Sequence, residues 1–440
     1  MPARLLVDTT PLRRHRDFRV LWLGYLVSFV GTQLTVVAVP YQVYRLTHSS
    51  AVVGLVSLGQ LLPLLFGSLL GGSVADAMDR RRLLLLTQVL LGCTSAGLAL
   101  NSMRSHPALW PIFVLTALSA GLSGVDSPTR TAAYTSLVDR SSYASAAALW
   151  QILAQVGIVA GPALAGVLLA RLGLAPVYWI DVATFGVALV AVLMLPPLRP
   201  VGTTSRPGLR SVAEGLRFLR GRQALQGNFI IDINAMVFGM PRALFPALGL
   251  STFHGGPGVV GALYAAPGIG ALVGALTTGW VGQVRRQGRA VMIAVTVWGA
   301  AIAAFGLVPW LGVALALLAL AGAADVVSAV FRNTILQLSV PDALRGRLSA
   351  VHIAVVTGGP RLGDAESGAV AALAGPRFSV VSGGLACIAG VAVIGALMPR
   401  YRRFEPSLDL SDGEEGGAPR EPEILTESPK VEAPRADPVV

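Results

Sequence analysis

The chain has 440 residues, of which 54% are hydrophobic and only 13% charged, with a mean hydropathy of +0.67. A soluble domain carries about 25% charged residues, so this chain lacks the polar surface a water-soluble globule needs, and an ordinary soluble enzyme is excluded. The formal charge of +11 comes from arginines in short bursts between long apolar runs, which is a membrane pattern and not a nucleic-acid-binding face.

Apolar stretches of about 20 residues match a hydrocarbon core of roughly 30 Å. Twelve occur, at 18–44, 51–75, 83–103, 109–132, 146–172, 175–195, 223–250, 259–281, 290–308, 311–338, 348–373 and 378–398. They lack the alternation of barrel strands, and lipid tolerates no irregular backbone, so each is read as a helix. The expected fold is an all-α membrane protein of twelve transmembrane helices. The first run is too long for a cleaved signal peptide and continues directly into the second span.

Arginine placement sets the orientation. Twenty-four arginines flank one set of span ends: Arg4 to Arg19, Arg80 to Arg82, Arg130 and Arg140, Arg199 to Arg222, Arg285 to Arg289, Arg345 and Arg347, and Arg400 to Arg403. The opposite side holds Arg45, Arg104, Arg171 and Arg377. By the positive-inside rule both termini are expected in the cytoplasm, with the chain in the inner (cytoplasmic) membrane.

The polar stretch 196–222 is a candidate central linker that divides the spans six and six. It follows an N-terminal segment, 1–17, and the first half, 18–195, and precedes the second half, 223–400. Gly72 to Asp76 after span 2 matches Gly279 to Gln283 after span 8, an offset of 207, and Arg130 with Asp139 matches Arg332 with Asp342, an offset near 202. Duplicated halves explain both matches, and in such transporters the substrate lies between the halves near the midplane. Chance similarity of Gly-rich helices is the alternative. Residues 401–440 differ in kind: ten of the chain's 23 acids lie from Glu405 onward among several Pro and Gly, so a disordered tail is expected. It would solvate the cytoplasmic face or regulate the protein.

The rare residues narrow the chemistry. Lys430 is the sole lysine and lies in the tail, so the body has no P-loop or Schiff-base lysine. Cys93 and Cys387 stand alone in apolar runs, and the five histidines share no metal-ligand spacing. No cofactor, metal, ATP hydrolysis or nucleic-acid partner is expected, and no enzyme activity.

The turn after span 2, Gly72-Ser-Val-Ala-Asp76-Ala-Met-Asp79-Arg80-Arg81-Arg82, resembles the G-x-x-x-D-R-x-G-R-R signature of the major facilitator superfamily, with Ala77 and Asp79 in place of its first Arg and its Gly. Gly157-Ile-Val-Ala-Gly161-Pro162-Ala-Leu-Ala165-Gly166 in span 5 resembles the motif of proton-driven antiporters, with Ala165 in place of one Gly. Asp17-Phe18-Arg19, the run from Ile231 to Arg242, and Val340-Pro341-Asp342 to Arg347 resemble the enterobactin (siderophore) exporter group, which related multidrug pumps partly share. The resemblance covers about residues 12–400. It implies a proton-coupled antiporter exporting an amphipathic organic solute, of siderophore type or else a drug, with the small solute, protons and lipid as its partners. We expect a monomer.

The resemblance implies that Asp76, Asp79, Arg80, Arg81 and Arg82 form a gate between the halves; the alternative is that the arginines only fix topology. Gly157, Gly161 and Gly166 let another helix approach closely while Pro162 kinks span 5, either sealing the path against protons or serving generic packing. Charges inside spans are costly and functional by default. Asp232, Asn234 and Arg242 lie in span 7, Arg361, Asp364 and Glu366 in span 11, and Asp126 and Arg130 in span 4. A coupling carboxylate is sought first at Asp232, then at Asp364 or Glu366, then at Asp126, with a structural ion pair as the alternative for each. Arg361 with Asp364, at i,i+3, and Asp126 with Arg130, at i,i+4, are spaced to neutralise each other, and Asp181 and the pair Asp325–Arg332 pose the same choice. Arg242, Asn234 and Arg130 are candidates for substrate binding. Tyr25, Phe29, Tyr41, Phe238 and Phe245 could line an apolar path or face core and lipid. A non-transporting receptor could keep the same fold.

Overall fold

The computed structural model describes residues 8–199, 217–340 and 342–405. The middle of the expected linker (200–216), the acidic tail from 406 onward and Pro341 lie outside them. Among the described residues there is helix and turn and no strand. Twelve helical segments build the bundle: α1 (Arg16–Thr47), α2 (Ser50–Ala77), α3 (Arg80–Ser102), α4 (Leu109–Ser136), α5 (Tyr143–Leu172), α6 (Leu174–Leu193), α7 (Gln223–Phe238), α8 (Gly256–Leu276), α9 (Gln287–Leu307), α10 (Leu311–Ser339), α11 (Asp342–Ala374) and α12 (Pro376–Leu397). Eleven of these, counting the turns that extend α7 to Thr252, are long and apolar enough to cross a membrane. The remaining segment, α11, has the length at 33 residues but carries Arg361, Asp364 and Glu366.

The backbone repeats itself. His48 after α1 and His254 after the α7 segment are, among the described residues, the two non-glycine residues with positive φ, at 50° and 48°, and they stand 206 residues apart. Gly173 between α5 and α6 has φ 84° and Gly375 between α11 and α12 has φ 89°, 202 residues apart. Such left-handed residues end helices sharply, so the two sets of six helices turn at matching points. The packing repeats as well. In the first half α1 packs on α5 and α6, α3 on α4 and α6, and α2 on α4; in the second half α7 packs on α11 and α12, α9 on α10 and α12, and α8 on α10.

Two segments expected as continuous helices are interrupted. In α2 a turn at Gln60 separates Ser50–Gly59 from Leu61–Ala77. Pro63 has no N–H to give to the Gly59 carbonyl, which weakens the helix there. Span 7 stops at Phe238 and continues through Gly239 and Pro241 as short turns over Arg242–Leu244 and Leu248–Thr252. The backbone groups freed there have partners, as groups inside an apolar bundle must. Trp298 donates its indole N–H to the Gly239 carbonyl at 2.9 Å, Tyr264 its hydroxyl to the Arg242 carbonyl at 2.9 Å, and the Ala243 amide donates to Asp364 Oδ1 at 3.0 Å.

The halves meet through α5 against α8 and α2 against α11, which are equivalent pairs under the repeat. The close contacts lie toward the helix ends away from the arginine-rich loops. A Cβ on Gly166 would lie 2.9 Å from the Gly261 Cα, and one on Gly368 would lie 2.6 Å from the Ser50 carbonyl oxygen, so only glycine permits this approach. Ala243 and Val260 of the second half are buried within the first half's apolar cluster around Leu34, Val37 and Tyr178, joining the two cores at this end.

Candidate functional site

A cavity of about 640 Å³ lies between the halves. Its wall is mainly aliphatic, with Val36, Val39, Val53, Val56 and Leu64, relieved by hydroxyls from Thr32, Thr35, Thr116, Ser119 and Ser123. Phe29 and Phe185 supply aromatic surface. Four charged side chains reach the wall: Asp181 from α6, Arg242 from the break after α7, and Arg361 and Asp364 from α11. This is a mostly apolar concavity with a few fixed polar groups, the general form of a small-molecule site.

Asp364 holds the halves together. Ser57 of α2 donates its hydroxyl to Asp364 Oδ2 at 2.5 Å while the Ala243 amide occupies Oδ1. Among the described residues this Ser57 bond is the hydrogen bond that crosses between the halves. The i,i+3 neutralisation of Asp364 by Arg361 does not form, because no ion pair within 4 Å joins them. Arg361 instead turns Nη1 to the Thr357 carbonyl at 2.8 Å and leaves Nε without a partner. Arg242 likewise has no ion-pair partner among the described residues.

Apart from Glu366, the other intramembrane charges form two ion-pair sites whose residues are not on the cavity wall. In the first half Arg130 binds Asp126 Oδ2 through Nε at 3.0 Å and Nη2 at 2.6 Å, and Thr87 and Gln88 donate to Oδ1. The ring of Tyr25 lies 4.1 Å from the Arg130 guanidinium, in stacked contact with Trp150. In the second half Arg332 lies 3.0 Å from Asp232 and 3.7 Å from Asp325, and it donates to Ser328. Arg130 and Arg332 are repeat mates, as are Asp126 and Ser328, and both arginines are buried. Arg130 is therefore part of the interior and not a flanking topology residue. Asn234 gives its amide to the Cys387 carbonyl, tying α7 to α12 away from the cavity. Glu366 is half-buried, off the cavity wall, with no hydrogen bond or ion pair among the described residues.

The turn between α2 and α3 is anchored within its own half. Asp79 caps α3, accepting from the Arg81 amide at 2.9 Å and the Leu198 amide at 3.1 Å. Arg80 donates to the Ala132 carbonyl, and Arg81 to the Val192 and Leu193 carbonyls at the end of α6, where a helix C-terminus favours a cation. Arg82 is exposed, and Asp76 has no bond among the described residues. On α5, Gly157 and Gly161 receive the Phe29 and Gln33 side chains of α1, whereas Gly166 receives α8 from the other half. Pro162 lines the cavity. Tyr41 and Phe245 are core residues.

The chain matches the family of transmembrane secretion effectors over residues 8–411. It belongs to that family of major facilitator superfamily transporters. The chain is 31% identical to the enterobactin exporter EntS of Citrobacter koseri over 409 residues, covering 93% of this chain and 98% of that protein. It is 30% identical to EntS of Escherichia coli O157:H7 over 415 residues, covering 93% and 99%. Among solved structures it shares its fold with the nucleoside transporter NupG, at TM-score 0.68 and 14% identity over 88% of this chain and 98% of that one. A bacterial homolog of the human lysosomal transporter Spinster, inward-facing and unoccupied, superposes at TM-score 0.67 and 16% identity over 94% and 100%. The chain is thus a multi-pass membrane transporter and not an enzyme.

Among the polar residues of this transporter's cavity, Ser57, Thr35 and Ser95 were not distinguished by sequence reasoning. Single hydroxyls carry no motif, although Thr116, Ser119 and Ser123, at spacings of three and four, do mark one polar face of α4.

Proposed function

We propose that the protein exports an amphipathic organic solute of siderophore type across the cytoplasmic membrane in exchange for protons. The observation that carries this reading is the cavity between two repeated halves, shut at the arginine-poor end by the Ser57–Asp364 bond and the glycine contacts. The arginine-rich loops support a cytoplasmic location for the opposite end and for both termini. In that orientation the protein is closed to the outside. The relatives named as enterobactin exporters support the direction of transport and the solute class.

Of the four candidate carboxylates, Asp364 fits coupling best, because it lies on the cavity and also bonds across the halves. Gain or loss of a proton changes the charge of Asp364 and with it the hold on Ser57 and Ala243, so proton binding biases whether α2 and α11 stay together. One charge crossing the membrane gains about 2.3 kcal/mol per 100 mV, so no ATP is needed. Arg242 and Arg361 hold the acidic group of the solute. Asp76, unbonded here, is available to pair across the seam when the arginine-rich end closes, while Gly157, Gly161 and Pro162 keep α5 sealed against α1. A single copy contains the whole path.

The test is proteoliposomes holding a pH dye, to which catecholate siderophores with and without a free amine are added. We expect solute-dependent proton movement that Asp364→Asn abolishes at equal protein content. No gradient-dependent flux of siderophore or of amphipathic drugs ends the antiport reading. The aliphatic wall also suits drug efflux, and flux of drugs without flux of siderophore selects that second reading.

A further inference from the structure

Asp181 is 1% exposed and lines the cavity, yet no cation lies within 4 Å of it among the described residues. Its partners are neutral hydroxyls. Thr35 from α1 and Ser95 from α3 each donate to Oδ2 at 2.7 Å, and Thr184, one turn along α6, approaches Oδ1 at 3.4 Å. The nearby Tyr178 hydroxyl is committed to Gln42 Oε1 at 2.7 Å. A buried carboxylate held only by hydroxyls has its hydrogen-bonding needs met and its charge unopposed, a costly state that a cation relieves.

The charged residues that the second half contributes have the opposite character. Arg242 and Arg361 reach the cavity without ion pairs, and the one carboxylate beside them, Asp364, has both oxygens bonded to Ser57 and the Ala243 amide. The cavity therefore has an acidic group on α6 and basic groups on α11 and the α7 break, in a wall that also carries much aliphatic surface.

We propose that Asp181 is a specificity-determining residue that binds a protonated amine, so that the cavity selects a dipolar solute with an amine at one end, an acid at the other and an apolar middle. This rests on the export reading only for calling the ligand a transported solute; the site itself is tested by binding alone.

The experiment is calorimetric titration of the detergent-purified full chain with three compounds of one skeleton. They are an aminomethyl-biphenyl carboxylate, its methyl ester (a cation) and the matching methyl-biphenyl carboxylate (an anion). The dipolar compound should bind at least about tenfold tighter than either singly charged one, the scale of one charge-assisted hydrogen bond. Asp181→Asn should bring the dipolar compound down to the affinity of the anion, and Asp181→Glu should restore the preference. Arg242→Gln should bring it down to the affinity of the cation. Equal affinities for all three, no binding of any, or a parallel loss of all three in a monodisperse Asp181→Asn protein overturns the proposal. Selective binding combined with absent flux in proteoliposomes counts against export and leaves the site standing.

Discussion

Two arginines more than 200 residues apart sit at the same depth in their halves, and each is neutralised locally. Arg332 pairs with the buried Asp232, so Arg332→Ala should strand that carboxylate and cost about 3–5 kcal/mol. A lowered melting temperature in detergent is the expected reading. Asp232→Asn should soften the protein less and leave pH-driven flux intact; lost coupling at unchanged melting would move the proton to Asp232. The sequence exposed the i,i+4 pair Asp126–Arg130, because both partners share one helix. It concealed the partner of Asp232, which comes from α10, a hundred residues downstream, and spacing along one helix carries no information about such pairs. The same limit explains Arg361 and Asp364, whose i,i+3 spacing offered a pair, whereas Asp364 bonds Ser57 and the Ala243 amide from other elements.

At the level of helices, length and hydropathy located all twelve segments, since burial in lipid demands an apolar run of fixed minimum length. The interruptions at Gln60 and Gly239 were less visible, because hydropathy does not register a missing backbone donor. Pro63 and Pro241 were the available signals. The approach of α5 to α8 depends on Gly166 and Gly261, and a Cβ at Gly261 would lie 2.7 Å from the Pro162 carbonyl oxygen. Gly261→Val should therefore push the halves apart at the arginine-poor end. Spin labels on Ala51→Cys and Ala369→Cys, with Cys93 replaced by Ser, should report a longer distance than in the parent; an unchanged distance counts against this contact as the closure.

For the molecule as a whole, twelve crossings would return the chain to its starting face. Cysteines introduced at Asp8 and at Glu405 should both resist an impermeant thiol reagent in intact cells and react after lysis, and reaction of either one in intact cells would reverse the orientation. The internal duplication was readable from two offsets in the sequence, and the matched left-handed residues at His48, His254, Gly173 and Gly375 extend it to the backbone. The cavity's position was not readable, because it depends on which faces of separate helices converge.

That cavity is lopsided. Of its 32 lining residues, 24 come from α1 to α6, yet three of its four charges come from the other lobe. Girth and polarity are thus governed by different stretches of the gene. Asp181 apart, substitutions early in the chain reshape the mould with little effect on its electrostatics, while a handful of late ones recast what charge the cargo must bear.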